Sequence, residues 1–179
     1  MALKTQVDES IKERTDKWDK RYLALAKFVS EWSKDPRAKV GAIIRNRRGR
    51  PVALGYNGFP GGIADDGRLY DKETKNETII HAEQNALLIA GAQAEEGTIY
   101  VVGKPMCVRC AVLVIEAGIK RIVAVKPNVA SESKWDKQGF SALKLFCEKG
   151  LAVTFYKEVS NGTFERAISR LRFRKAKRE

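Results

Sequence analysis

Trp18, Tyr22, Leu25, Val29 and Trp32 recur at intervals of four, three, four and three, which is one face of an amphipathic helix and predicts helix over residues 14–33. Asp35-Pro36 closes it, because the residue before a proline is pushed out of the helical region. Two short runs rich in strand formers follow, AKVGAIIRN and PVALGYN, joined as a hairpin by the basic turn around Arg48-Gly49. From Gly58 to Asn76 the periodicity disappears. This stretch, headed by FPGGIADDG, predicts a loop longer than ordinary connections, and such loops inside a domain are usually functional or disordered.

Beyond the loop the pattern alternates. HAEQNALLIAGA predicts helix over about 80–92, TIYVV a buried strand, CVRCAVLVIEAG helix, RIVAV strand, KWDKQGFSALKLFCEK helix, AVTFYK strand and TFERAISRLRF a final helix. Strands alternating with helices of this length indicate an α/β fold with a partly parallel sheet and helices on both faces, and the hairpin makes the sheet mixed. With 179 residues, 44% of them hydrophobic, the chain suits one domain, its core at about 14–158 and a basic helix or tail at about 162–179. No stretch approaches the roughly 20 apolar residues that span a bilayer, and the first residues, MALKTQVDESIKER, are too charged for a secretory leader. Three cysteines, two of them spaced for metal, fit a reducing compartment. A cytoplasmic protein with no membrane partner is expected.

Net charge adds a second theme. The formal charge is +12, and two segments carry most of the excess. Between 34 and 50, Lys34, Arg37, Lys39, Arg45, Arg47, Arg48 and Arg50 face only Asp35, and a second basic cluster runs from Arg166 to Arg178. Such clusters are candidates for phosphate contact, on a nucleotide or on a polynucleotide, although the C-terminal one reads equally as a solvated tail.

The chemistry lies in four residues. His81, the only histidine, stands two positions before Glu83 and 26 before Cys107, and Cys110 follows three residues later. One imidazole and two thiolates suit a tetrahedral zinc with its fourth position left for water. A redox C-x-x-C requires a different order of strand and helix. A purely structural zinc requires a fourth protein ligand, whereas Cys147, among Leu143, Leu145 and Phe146, reads as a small core residue. On the predicted elements, His81 and Glu83 fall in the first turn of one helix and Cys107 and Cys110 in the first turn of the next, so two helix N-termini converge and favour thiolate over thiol.

H-x-E followed by C-x-x-C is the pattern of zinc deaminases, in which the glutamate moves protons and does not bind the metal. With SKDPRAKVGAIIRN, GYNGFPGGIADD, HAEQNAL and CVRCAVLVIEAGIKRIV, the chain resembles the deoxycytidylate deaminases of the cytidine-deaminase-like superfamily over about residues 20–127. The resemblance implies a three-layer α/β/α fold with a central mixed sheet of five strands, and hydrolysis of dCMP to dUMP and ammonia. It also implies Zn2+ held by His81, Cys107 and Cys110, with Glu83 as general acid and base. Asn57 would contact the sugar hydroxyl and the backbone at Ala82 the pyrimidine. A homo-oligomer, dimer or hexamer, regulated by dCTP and dTTP is a further implication. Arg37 and Lys39 are assigned to the 5′-phosphate on charge and on their place beside VGA alone. The family normally has proline directly before the first cysteine, whereas this chain reads Pro105-Met106-Cys107, which leaves substrate choice open. Three other readings stand beside dCMP: another or modified deoxycytidine nucleotide, a nucleic-acid deaminase acting on tRNA adenosine or single-strand cytosine, and a zinc-stabilised binding module. The charge supports the second, and Glu83, useless to a structural zinc, argues against the third.

Overall fold

The computed structural model describes residues 2–128 and 130–167. Its frame is one mixed sheet of six strands in the order β2-β1-β3-β4-β5-β6. These are β1 (Gly41–Arg45), β2 (Pro51–Tyr56), β3 (Thr98–Val102), β4 (Arg121–Val125), β5 (Ala152–Ser160) and β6 (Thr163–Arg166). β3, β4 and β5 are parallel, while β1 runs antiparallel to both β2 and β3, and β6 antiparallel to β5.

Alternation along the strands divides the core into two layers. Ile43, Tyr100, Val102, Val123 and Tyr156 point to one face, where Tyr22, Leu23, Ala26 and Val29 of α1 (Ala2–Ser30) cover them. Ile44, Ile99, Val101, Ile122 and Ala124 point to the other, against α3 (Ala82–Ala90), α4 (Val108–Glu116) and α5 (Lys134–Lys149). The result is the expected three-layer α/β/α arrangement.

Three local expectations are corrected. The sheet has six strands, not five, because TFER at the start of the expected final helix is β6. Asn161-Gly162 turns the chain back on itself, with Gly162 at φ 73°, and Phe164 packs into the α1 layer. The remainder of that expected helix, from residue 168 onward, lies outside the described residues. The helix expected over 14–33 begins at Ala2 and ends at Ser30, after which tighter turns (Trp32 N to Val29 O, Ser33 N to Ser30 O) carry the chain to Ser33. Its buried stripe runs through Asp19, Tyr22, Leu23, Ala26 and Val29, with Trp18 and Trp32 on its flanks. The long loop is also less irregular than its composition suggests: it holds a 3₁₀ turn (Gly67–Leu69) and α2 (Lys72–Thr78), capped by Asp71 accepting from Thr74 N at 2.8 Å.

Candidate active site

His81 and Cys107 occupy equivalent places. Each is the extended residue immediately before a helix, His81 at φ −71°, ψ 153° before α3 and Cys107 at φ −78°, ψ 163° before α4. Gln84 accepts from His81 N at 3.0 Å and fixes the start of α3. Close packing fixes its height: a Cβ on Gly55 of β2 would lie 2.3 Å from Ala82 O, so the helix backbone rests directly on the strand. After β3, Gly103 adopts φ 98° where a Cβ would meet Lys39 O at 2.2 Å, and only glycine lets the chain turn there toward Cys107.

The three donors converge. His81 Nδ1 lies 3.5 Å from Cys107 Sγ and 3.3 Å from Cys110 Sγ, and all three ligand atoms fall within 4.8 Å of one another. A tetrahedron with Zn–S near 2.3 Å and Zn–N near 2.0–2.1 Å has N···S edges of about 3.5 Å, so the donor set fits zinc in type and spacing. Among the described residues no other group of His, Cys, Asp or Glu could hold a metal, and Cys147, half-buried on α5, does not supply a fourth ligand. Between the two thiols, the hydrogen bond from Cys110 leads in holding Cys107 well below the ordinary thiol value. The same bond and burial push Cys110 up. Glu83, in the first turn of α3, is 3% exposed, and burial raises its carboxyl to about 7.

These groups open into a cavity of about 350 Å³. Ala82 and Glu83 line it together with His81 and Cys107, and Trp135 stands over His81 with ring centroids 5.9 Å apart in an edge-on arrangement. Pro105 is in the wall. Met106 is 4% exposed and points into the core beside α5, so the residue inserted before Cys107 does not enter the cavity.

The opposite wall is a buried polar network. Asp35 accepts from Arg37 N at 2.8 Å, Ala38 N at 3.2 Å and Asn57 Nδ2 at 3.2 Å, and both its oxygens lie 2.9 Å from Lys75 Nζ. Asn57 Nδ2 also donates to Ala38 O at 2.9 Å, and Asn57 Oδ1 accepts from Val40 N at 2.8 Å. Both amide hydrogens of Asn57 are therefore committed to the frame, and its oxygen keeps one lone pair.

Of the two cations assigned to a phosphate, Arg37 lines the cavity, with Nη2 donating to Tyr70 O at 2.6 Å. Lys39 is not among the lining residues, and its ammonium pairs with Glu31 at 3.1 Å. Sequence reasoning missed Lys72, Lys104 and Lys134, which also line the cavity, along with Lys75 and Trp135. None had a local motif. Lys72 and Lys75 belong to the helix taken for loop, and Lys134 and Trp135 come from α5, remote in sequence from the metal ligands.

Residues 16–126 match the family described as the cytidine and deoxycytidylate deaminase zinc-binding region. The deoxycytidylate deaminase of Pongo abelii is 33% identical over 156 residues, covering 83% of this chain and 84% of its own length. An uncharacterized deaminase from the luxG 3′ region of Aliivibrio fischeri is 34% identical over 139 residues, covering 78% and 93%. Among solved structures, dCMP deaminase from the cyanophage S-TIM5 in complex with dCMP and dUMP superimposes with a TM-score of 0.56 at 25% identity, over 74% of this chain and 92% of that one. RibD of Acinetobacter baumannii shares the fold at a TM-score of 0.54 and 22% identity, over 76% of this chain and 34% of its own.

Proposed function

The chain belongs to the zinc-dependent cytidine and deoxycytidylate deaminases, and from that premise we propose that it hydrolyses dCMP to dUMP and ammonia. The observation that carries the substrate class is the charge of the cavity. Arg37, Lys72, Lys104 and Lys134 face it against two carboxylates, Asp35, already neutralised by Lys75, and Glu83. A free nucleoside leaves those cations without a partner, whereas a 5′-phosphate engages them.

Zinc held by His81, Cys107 and Cys110 would lower the pKa of its bound water to about 7, so that a nucleophile would exist at neutral pH. The protein's own groups do the rest. Glu83 takes one proton from the attacking water and delivers it to ring N3, where it remains in the uracil product. The second proton of that water passes through Glu83 to the 4-amino group, and the C4–N bond breaks to release ammonia as C4=O forms. The edge-on Trp135 gives the pyrimidine an aromatic wall, the backbone at Ala82 a polar edge to read, and Asn57 a remaining lone pair for a sugar hydroxyl.

Among the described residues none of the four cavity cations forms a salt bridge, and together they exceed the two charges of one phosphate, which favours dCDP and dCTP as a second reading. Purified zinc-loaded protein assayed for ammonia release against deoxycytidine, dCMP, dCDP, dCTP and a cytosine-containing oligonucleotide tests both. We expect kcat/KM for dCMP at least tenfold above that for deoxycytidine, with the oligonucleotide unchanged. Preference for the free nucleoside or the polymer overturns the proposal, and a higher kcat/KM for dCTP selects the second reading.

Self-association belongs to the same proposal. Leu88 and Ile89 of α3 and Val112 and Leu113 of α4 are 74%, 59%, 51% and 43% exposed on neighbouring helices. Leu88 and Leu113 line one groove between the two helices, and an exposed apolar groove of this kind suits a second copy of the chain.

A further inference from the structure

A second cationic surface lies at the other end of the sheet. The turn between β1 and β2 presents Arg47, Arg48 and Arg50 to solvent, and the Tyr22 hydroxyl donates to Gly49 O at 2.9 Å, fastening that turn to α1. From Tyr22 the contacts continue in both directions. The Arg45 guanidinium lies 5.9 Å from its ring centroid, Trp18 lies 6.0 Å away ring to ring, and Arg21 sits 4.8 Å above the Trp18 ring. Trp18 is nevertheless 44% exposed.

The charge of this face is largely uncompensated. Arg47 pairs with Glu96 at 3.4 Å, but among the described residues none of Arg21, Arg45, Arg48 and Arg50 is paired with a carboxylate. The nearby acids are engaged elsewhere, Asp19 with Arg121 at 2.6 Å and Asp16 with Lys20 at 2.9 Å. Arg45 Nε is the one buried side-chain nitrogen or oxygen among the described residues that lacks a hydrogen-bond partner.

We infer that this face binds single-stranded nucleic acid, with phosphates on Arg45, Arg48 and Arg50 and a base stacked on Trp18. Guanidinium forks interleaved with an exposed indole are the chemistry of single-strand binding, since every base offers a π-face and every linkage a phosphate. A lipid or acidic-peptide surface would use the arginines and leave the indole without a role. The strand lies apart from the catalytic cavity. Arg45 pairs with Thr98 at the start of β3, whereas the ligand Cys107 follows the end of that strand, about 13 Å further along. The bound polymer is a tether and not the substrate. β6 also runs back toward this end.

Fluorescence anisotropy with labelled oligo-dT and oligo-rU of 20 nucleotides, titrated at several salt concentrations, tests the assignment. Three phosphate contacts predict a slope of log affinity against log salt of about −2. Arg48→Glu with Arg50→Glu should weaken binding at least tenfold and reduce the slope to about −0.7, and Trp18→Ala should weaken it about fivefold with the slope unchanged. Both variants should keep wild-type dCMP turnover, and the oligonucleotide should not compete with dCMP. Wild-type binding by the two variants overturns the inference. So does binding that disappears only when residues 168–179 are removed, or an oligonucleotide that inhibits turnover competitively.

Discussion

Lys75 Nζ lies 2.9 Å from both carboxylate oxygens of Asp35, with 7% and 5% of the two side chains exposed, and this ion pair joins α2 to the turn that carries Arg37 and, through Asp35, to Asn57 just after β2. Replacing only the lysine leaves a buried carboxylate without its counter-ion, which typically costs about 3–5 kcal/mol. Lys75→Met should lower the urea midpoint accordingly. Because the same carboxylate accepts from Asn57 and the Arg37 backbone, KM for dCMP should rise in the folded fraction more than kcat falls. Unchanged stability and KM would show that the pair does not hold this wall.

Glu83 makes the sharpest prediction about chemistry. It is buried beside His81, Cys107 and Cys110 without belonging to that ligand group. Glu83→Gln should therefore keep zinc at one equivalent and keep nucleotide affinity, while kcat falls by about 10² to 10⁴, the usual worth of a positioned acid and base. Metal analysis and equilibrium binding of dCMP, alongside single-turnover rates, separate the two effects. A variant with near-normal turnover would remove Glu83 from the mechanism.

This division mirrors what a sequence exposes. His81, Glu83, Cys107 and Cys110 were legible because each pair sits within one helical turn, where spacing is geometry, and because their donor types have few other uses. A sheet covered on both faces was legible from uninterrupted apolar runs such as TIYVV, buried at every position because helices pack on both sides. What failed to show was non-local. Lys72, Lys75, Lys104, Lys134 and Trp135 look like ordinary surface residues until three separate segments fold around one cavity. Lys39 illustrates the converse: beside VGA in the sequence, it is not among the residues that line the cavity, and Glu31, eight residues upstream, pairs with its ammonium. Asn161-Gly162 could have revealed β6, because that dipeptide between strand-forming residues marks a hairpin.

The metal should contribute to stability as well as to turnover. Its ligands join the starts of α3 and α4, which flank the same face of the sheet, so binding free energy is available only to the folded chain. Cys110→Ser should lose zinc and activity together and melt below the wild type. Treating the wild type with a chelator should reproduce that melting temperature, and zinc should restore it only in the wild type. A melting temperature indifferent to metal would break the link between the centre and the fold.

Leu88 and Leu113 test the apolar face of α3 and α4. If a second copy covers it, light scattering coupled to size exclusion should report an oligomer for the wild type and a monomer for Leu88→Glu with Leu113→Glu. Both residues are exposed in the single chain, at 74% and 43%, so the charges should not disturb its folding. A wild-type monomer at micromolar concentration would remove self-association from the proposal.

Alkaline pH should reveal the layer beneath α1. Tyr100 donates to Asp19 Oδ1 at 3.2 Å, and Tyr156 donates to Asp16 at 2.6 Å and to Asp19 at 3.1 Å. Burial, followed by the Asp19 charge, raises the Tyr100 phenol far above its ordinary value of 10.0, and burial followed by the Asp16 hydrogen bond does the same for Tyr156. Above about pH 10 the unfolded chain releases these protons while the folded chain keeps them, so the unfolded state binds fewer and stability declines as pH rises. Below that pH the two states hold the same phenolic protons, and these groups contribute no slope. Urea midpoints of the wild type should therefore be level with respect to the tyrosines at pH 8–9 and drop between pH 10 and 11. Tyr100→Phe should start lower by about 1 kcal/mol for the lost hydrogen bond but decline less steeply, so the two curves converge. Parallel curves across that range would show that Tyr100 is not held protonated by its burial over Asp19.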